Sequence, residues 1–322
     1  LVASAEIDLS ELVHKHGVEK SLAHWKMVGE TLNDIKSIIK KEKIPCDFEE
    51  QDTMYCSLNE KHEDILHEEY DYVKKLTPTA KIIQGKELKK ELNSPLFTKS
   101  IFSPKSGVSV NPMQLTQNLA RVVAKKGIQI FEHTPVLRVS GNTAVTPHGT
   151  ITFKKIIWAI DAAHPNPHVK NNKTTILITR PLTTSELKRT GLNKKKIIWD
   201  TNQYYGYAKV TKDNRLLIGI GDTKVGKNFS AKNSRLSRMA VAKSWLNRLF
   251  TYLKTHIPHT IRGKRWLRQL FPYLKINIEY VWSATYGTTE NHRPLIEQKG
   301  NTYAFAAAGS QVICVMAAHQ LA

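Results

Sequence analysis

The stretch from Gly107 to Ala163 constrains the fold most, because hydrophobic period, capping residues and punctuation agree along its whole length. Asn111 and Pro112 open a helix in which Leu115, Leu119, Val122 and Val123 recur at helical spacing, and Gly127 stops it behind Lys125 and Lys126. The pattern then changes to that of strands. Ile128, Ile130 and Phe131 lead through Thr134 and Pro135 to Val136, a hairpin turns around Gly141 and Gly149, and an apolar run from Ile156 to Ile160 ends at Asp161. The period switch makes this one αβ unit and predicts a mixed α/β chain.

The segments "GVSVNPMQLTQNLARVVAKKGIQIFEHTPVLRV" and "TPHGTITFKKIIWAIDAA" resemble the middle of the flavin-dependent amine and amino-acid oxidoreductases of the D-amino-acid oxidase superfamily. The resemblance implies a two-domain α/β fold, in which an FAD-binding Rossmann-like domain is interleaved with an antiparallel-sheet substrate domain. It implies that backbone at Val136 lies against the FAD adenine and that Ala159, Ile160 and Asp161 pass close to the cofactor. "YYGYAKVTKDNRLLIGIGDT" is similar to a family hairpin that forms part of the sheet over the substrate. Asn214 stands there for a glycine, a change the turn tolerates because Asn also accepts φ > 0. Tyr205 and Tyr207 flank Gly206 and so share one face, which makes them substrate-binding candidates together with Tyr286.

The last block, "VWSATYGTTENHRPLIEQKGNTYAFAAAGSQVICVMAAHQLA", resembles the family's closing strand, proline loop, strand, glycine-rich turn and helix. Small residues there let backbone approach the flavin ring, and the helix N-terminus presents N–H groups to it. The implied ring contacts are Gly309, Ser310, Gln311, Val312 and Ile313. Ser310 and Val312 replace glycines of the relatives, and a β-branched residue resists φ > 0. Amino-acid oxidases of the superfamily pair a substrate carboxylate with an arginine before the final proline loop. Ala284 to Gly287 holds none, and Arg293 occupies a different position.

Flavoproteins of this type begin with a strand, a G-x-G-x-x-G turn and a helix that receives the pyrophosphate. "LVASAEIDLSELVHKHG" instead resembles the family just after that motif, and Gly219-Ile-Gly221 has Lys224 where a third glycine would stand. The expectation is a chain missing its first βαβ unit. Residues 10 to 44 read as two helical pieces, with Ser10 as a cap and an apolar stripe from Leu22 to Ile39; Ile44 to Leu58 reads as strand and Glu60 to Leu76 as helix. Strands at Thr174 to Thr179, Lys196 to Trp199, Tyr204 to Val210 and Leu216 to Ile220 predict an antiparallel sheet. The implied division is 1–44 as FAD-domain remnant and interface helices, 45–105 and 166–280 as substrate domain, and 106–165 and 281–322 as FAD domain, with Ser94-Pro95 and Ser103-Pro104 marking the first return.

Of the 322 residues, 1–100 carry 15 Lys and Arg against 19 acids, and 101–322 carry 33 against 9. A basic C-terminal portion raises the question of a polyanion. Arg262, Lys264, Arg265 and Arg268 interleave with Trp266 and Phe271, a pattern that suits RNA, but a family helix running into the "LFP" turn at Leu270 to Pro272 accounts for it as solvated surface. Cys46, Cys56 and Cys314 have neither even count nor metal-ligand spacing, which points to a reducing cytoplasm and no metal. The apolar run from Tyr303 to Ala318 is broken by Gly309, Ser310 and Gln311 and is too short for a bilayer.

The implied reaction is oxidation of the C–N bond of a small amine or amino acid by hydride transfer to FAD. The altered glycines and the missing motif leave a non-catalytic remnant of the same fold as an alternative, and the basic charge leaves a tRNA-modifying flavoprotein as another.

Overall fold

The computed structural model describes residues 2, 7–202, 205–224, 260–290 and 294–307. Helices α1 (Leu9–His16) and α2 (Val18–Lys41) part at Gly17, whose φ of 81° takes the chain out of helical geometry. Ser10 lies inside α1 rather than capping it. The cap comes from Glu69 on α3 (Glu63–Leu76), whose carboxylate accepts the N–H groups of Leu9 and Ser10 at 3.0 and 2.8 Å.

Between these helices runs β1 (Glu49–Ser57), and after α3 come β2 (Lys81–Gln84), α4 (Gly85–Glu91) and β3 (Lys99–Ser109). Ser103-Pro104 is a bulge inside β3 and not a break. Its register against β1 slips between Gln51 and Thr53, Lys105 turns to φ 49°, and the Lys105 N–H is satisfied by Asp52 Oδ1 at 3.0 Å. Helix α5 (Pro112–Lys125) follows the sequence closely: the Asn111 side chain accepts Gln114 N–H at 3.2 Å, proline occupies the first turn, and Gly127 at φ 86° ends it.

Residues 128–137 lie outside any strand, against the expectation of one at Ile128 to Phe131. A ladder needs a partner, and none lies alongside among the described residues; Ile128, Ile130 and Phe131 are 56%, 50% and 62% exposed. Strands β4 (Arg138–Ser140), β5 (Thr143–Thr146) and β6 (Gly149–Thr152) form the predicted hairpin region. β7 (Ile156–Trp158) is shorter than the apolar run that encodes it and ends in a 3₁₀ turn at Asp161–Ala163.

Next come β8 (Lys170–Pro181), α6 (Thr184–Thr190), β9 (Lys196–Asp200), β10 (Gly206–Val210), β11 (Arg215–Lys224), the helix α7 (260–270), β12 (Ile278–Thr288), β13 (Leu295–Lys299) and β14 (Thr302–Ala306). Among the described residues, eight strands form one sheet in the order β12-β8-β11-β10-β9-β1-β3-β2. Neighbours run antiparallel except β9 and β1, which are parallel. The turn between β10 and β11 has Asn214 at φ 63°, as its sequence predicts.

One face of this sheet packs Met54, Ile198, Ala208, Leu216 and Ile218 against Leu88 of α4, Leu187 of α6 and Trp266 and Leu270 of α7. Each buried Leu, Ile or Met among them contributes roughly 1.5–3 kcal/mol. On the opposite face α3 covers the β1-β3-β2 end through Leu66, with Tyr55 and Ile101, while the α2 stripe Val28, Leu32, Ile35 and Ile39 packs on Val108 and Val110. A smaller sheet joins β14 antiparallel to β13 and parallel to β7. The outer edge of β7 has no ladder partner among the described residues.

Candidate active site

Strand registry places one transverse row of side chains on the face opposite α4, α6 and α7. Trp282, Ile176, Gly219, Tyr207, Trp199 and Tyr55 are successive directly paired residues from β12 to β1. Directly opposed residues point to the same side of a sheet, so these side chains share one face. α3 covers the Tyr55 end. Toward β12 the row ends on Tyr207 and Trp282, with Trp282 44% exposed.

Gly219 in this row and Gly206 beside it set the aromatic positions on the two faces. A Cβ on Gly219 would stand 1.9 Å from Tyr207 Cζ, so the tyrosine ring lies across bare backbone. A Cβ on Gly206 would stand 2.3 Å from the Trp266 ring on the other face. Asp200 fixes that corner by accepting Trp266 Nε1–H at 2.8 Å and Gly206 N–H at 3.2 Å. Burial pushes the Asp200 carboxyl above its usual range, with these N–H groups opposing the shift. Gly206 thus holds Trp266 below the sheet while Tyr205 and Tyr207 stand above it, their rings 5.8 Å apart. The Tyr207 hydroxyl lies 3.3 Å from Thr174 Oγ1.

Tyr286 pairs with Asn172 two positions beyond the Ala284–Thr174 pair, so it lies on the same face, half-buried. Its neighbour Gly287 connects this face to the predicted cofactor segment. The Gly287 N–H donates to Asp161 Oδ2 at 2.8 Å, and a Cβ on Gly287 would meet Val169 Cγ1 at 3.0 Å, Ala307 Cα at 3.1 Å and Ala162 Cα at 3.3 Å. Backbone from β12, from the turn after β7 and from the end of β14 therefore converges. Asp161 and Ala307 both have left-handed backbone, φ 42° and 52°.

Of the residues assigned to FAD, Asp161 is half-buried at this junction; Ala159, Ile160 and Val136 are exposed, and Val136 belongs to the strandless segment 128–137. Gly309, Ser310, Gln311, Val312 and Ile313 lie outside the described residues. Registry adds Thr174 and Trp282 to the tyrosine face, which local sequence did not single out. Alternation along β12 was the available signal for Trp282. The basic residues Arg262, Lys264, Arg265 and Arg268 occupy the solvent side of α7, with Trp266, Leu267 and Leu270 inward.

The profile of the FAD dependent oxidoreductase family, DAO, matches residues 9–322. The chain belongs to this family. Its curated relatives include the probable oxidoreductase OrdL of Haemophilus influenzae, 26% identical over 66% of this chain and 53% of the relative. The gamma-glutamylputrescine oxidoreductase of Escherichia coli is 23% identical over 69% and 54%. This DAO chain therefore spans about half the length of the curated relatives it matches. Among solved structures, glycine oxidase from Geobacillus kaustophilus superposes with a TM-score of 0.72 at 16% identity, covering 99% of this chain and 80% of its own. L-proline dehydrogenase from P. horikoshii gives 0.70 at 14%, covering 92% and 76%. These two likenesses establish the fold.

FAD is the cofactor of the DAO family. Among the described residues, the observation that bears on where it would sit is the close backbone packing at Gly287, which leaves no room for a side chain between β12, the turn after β7 and the end of β14. A glycine-rich turn for the pyrophosphate is not among the described residues. No described helix is long and apolar enough to cross a membrane.

Proposed function

We propose that this chain carries the substrate face and the ring-side backbone of an FAD-dependent oxidoreductase acting on the C–N bond of a small amine or amino acid. The observation that carries this reading is the junction at Gly287, which joins the Tyr207–Trp282 face to the turn after β7 through Asp161. On this reading residues 106–165 and 281–322 are the FAD-binding part, 45–105 and 166–280 the substrate part, and 1–44 their interface helices. β12 runs across that boundary as one strand.

The chemistry supplied by bound FAD is acceptance of a hydride from the carbon bearing the amine nitrogen, leaving an imine for water to hydrolyse. The chain's own residues bind and orient. Tyr205, Tyr207 and Trp282 offer ring faces to an amine or its alkyl chain, Thr174 steadies the Tyr207 hydroxyl, and Tyr286 stands next to the cofactor junction. Val136 and residues 159–161 would border the cofactor, with Gly309 to Ile313 at its ring. Buried free Cys46 and Cys56 support a reducing, cytoplasmic setting.

The 322 residues alone are expected to purify without a stoichiometric flavin band. A family-type strand, G-x-G-x-x-G turn and helix placed ahead of Leu1 should restore that band, and amines or amino acids should bleach it anaerobically. Trp282→Ala and Tyr207→Ala should weaken bleaching at unchanged flavin content. Flavin that no amine or amino acid bleaches would refute the reading in favour of a non-catalytic member of the fold.

A further inference from the structure

On the side of the molecule away from the tyrosine face, α4 and α6 end side by side over the turn that follows α7. Between them is an open surface cleft of about 300 Å³ lined by Lys89, Asn93, Ser94, Pro95, Arg189 and Tyr273. That volume lies at the small end of ligand sites. No carboxylate lines it.

Its walls are braced from several directions. Asn93 N–H donates to Thr190 O at 2.9 Å, Asn93 Nδ2–H donates to Arg189 O at 2.9 Å, and the Tyr273 hydroxyl donates to Asn93 O. Gly191, at φ 80°, lets the two helix ends touch, since a Cβ there would stand 2.7 Å from Glu91 O. The Arg189 guanidinium lies 4.5 Å over the Tyr273 ring. This cation–π contact leaves its N–H donors unused, and Arg189 has no carboxylate partner among the described residues. Lys89 likewise has none. Glu91, the acid nearest the helix ends, is engaged by the buried Lys196 at 3.2 Å. The two cations among the lining residues, Lys89 and Arg189, therefore face a cleft with no carboxylate in its lining to neutralise them. The Ser94 hydroxyl accepts Leu96 N–H at 3.2 Å, which leaves its own proton to donate.

We propose that this cleft binds a small phosphate-bearing anion, with Arg189 as a planar two-donor fork, Lys89 as the second cation and the Ser94 hydroxyl as a neutral donor. A phosphate presents several strong acceptors, and a braced guanidinium meets two of them at little entropic cost. The site is separate from the face assigned to the amine and does not depend on that assignment.

The test uses the full 322-residue chain. Inorganic phosphate is titrated against chloride at matched ionic strength, following the thermal midpoint and the phosphorus NMR linewidth. The expected result is saturable stabilisation and broadening, with affinity falling at least tenfold in Arg189→Gln, severalfold in Lys89→Gln, and at least threefold in Arg189→Lys, which keeps the charge and loses the fork. Lys89 is exposed on α4, so its variant should fold whatever happens to the others. An unchanged phosphate response in Arg189→Gln and Lys89→Gln would overturn the proposal. So would a response confined to vesicles containing phosphatidic acid, which would assign the cleft to a lipid surface, or binding seen only with single-stranded RNA.

Discussion

The carboxylate that caps α1 should make the chain lose stability as pH rises. Glu69 is 3% exposed, and both its oxygens accept backbone N–H groups that would ordinarily lower its pKa. Burial and the neighbouring Asp8 outrank those bonds and push the carboxyl up to about 7 from 4.5. Asp8, hydrogen-bonded by the Tyr55 hydroxyl at 2.6 Å, is itself shifted upward by burial. A folded-state pKa above the unfolded one means that the folded state holds its proton longer. The contribution is fully present below the unfolded pKa and is lost as pH climbs through the folded one. Linkage across that interval gives a loss on the order of 2 kcal/mol between pH 5 and pH 8 from Glu69. In Glu69→Gln the amide still accepts one N–H, does not titrate, and forgoes a hydrogen bond worth about 1 kcal/mol. Urea unfolding of both proteins at several pH values, with the variant subtracted from wild type, removes the histidines that titrate in the same window. The variant should stay within about 1 kcal/mol of wild type at pH 5 and exceed it by about 2 kcal/mol at pH 8. A variant less stable by the same amount at both ends would show that Glu69 is an ionised cap and that burial does not govern it.

Gly206→Ala should cost at least about 2 kcal/mol in denaturant unfolding, because Trp266 is buried and tethered to Asp200 and cannot retreat. Gly219→Ala meets only the end of the half-buried Tyr207 ring, so it should cost under about 1 kcal/mol and be read instead as a changed near-ultraviolet circular dichroism spectrum. Trp266→Phe removes a donor from Asp200, raising that carboxyl further; its destabilisation, about 1–3 kcal/mol, should grow from pH 4 to pH 8. Burial pushes the Cys56 thiol up to about 12 and raises Cys46 as well, so a maleimide at neutral pH should leave both unmodified in the folded chain by peptide mass mapping.

Elements whose causes are local could be read from the sequence. α5 carries its own cap, proline and terminal glycine, the β10–β11 turn carries Asn214, and Tyr205 and Tyr207 share a face because strand side chains alternate. What escaped the sequence depended on distant partners. The α1 cap comes from Glu69, some sixty residues away, and nothing near Ser10 announces it. Ile128 to Phe131 has strand composition, yet composition supplies no neighbour to bond. Ser103-Pro104 reads as a stop because a bulge and a loop use the same residues; only the facing Asp52 distinguishes them. Thr174 and Trp282 join the tyrosine face through registry across β8 and β12, a property of pairs of strands. The junction at Gly287 was hidden for the same reason, since the Asp161 that holds it was legible only as a chain turn.

β12 is gauged at two places. Along its length it pairs with β8 from Ile278 to Thr288, and near its end Asp161 grips the Gly287 amide. A slip of one residue would invert Tyr280, Trp282, Ala284 and Tyr286 together and at the same step draw Gly287 away from Asp161, so neither end can drift without the other objecting. Side chains on this strand can therefore be exchanged while the backbone keeps its place, and substitutions at positions 280, 282 and 284 can reshape that face without retuning its distance from the turn after β7.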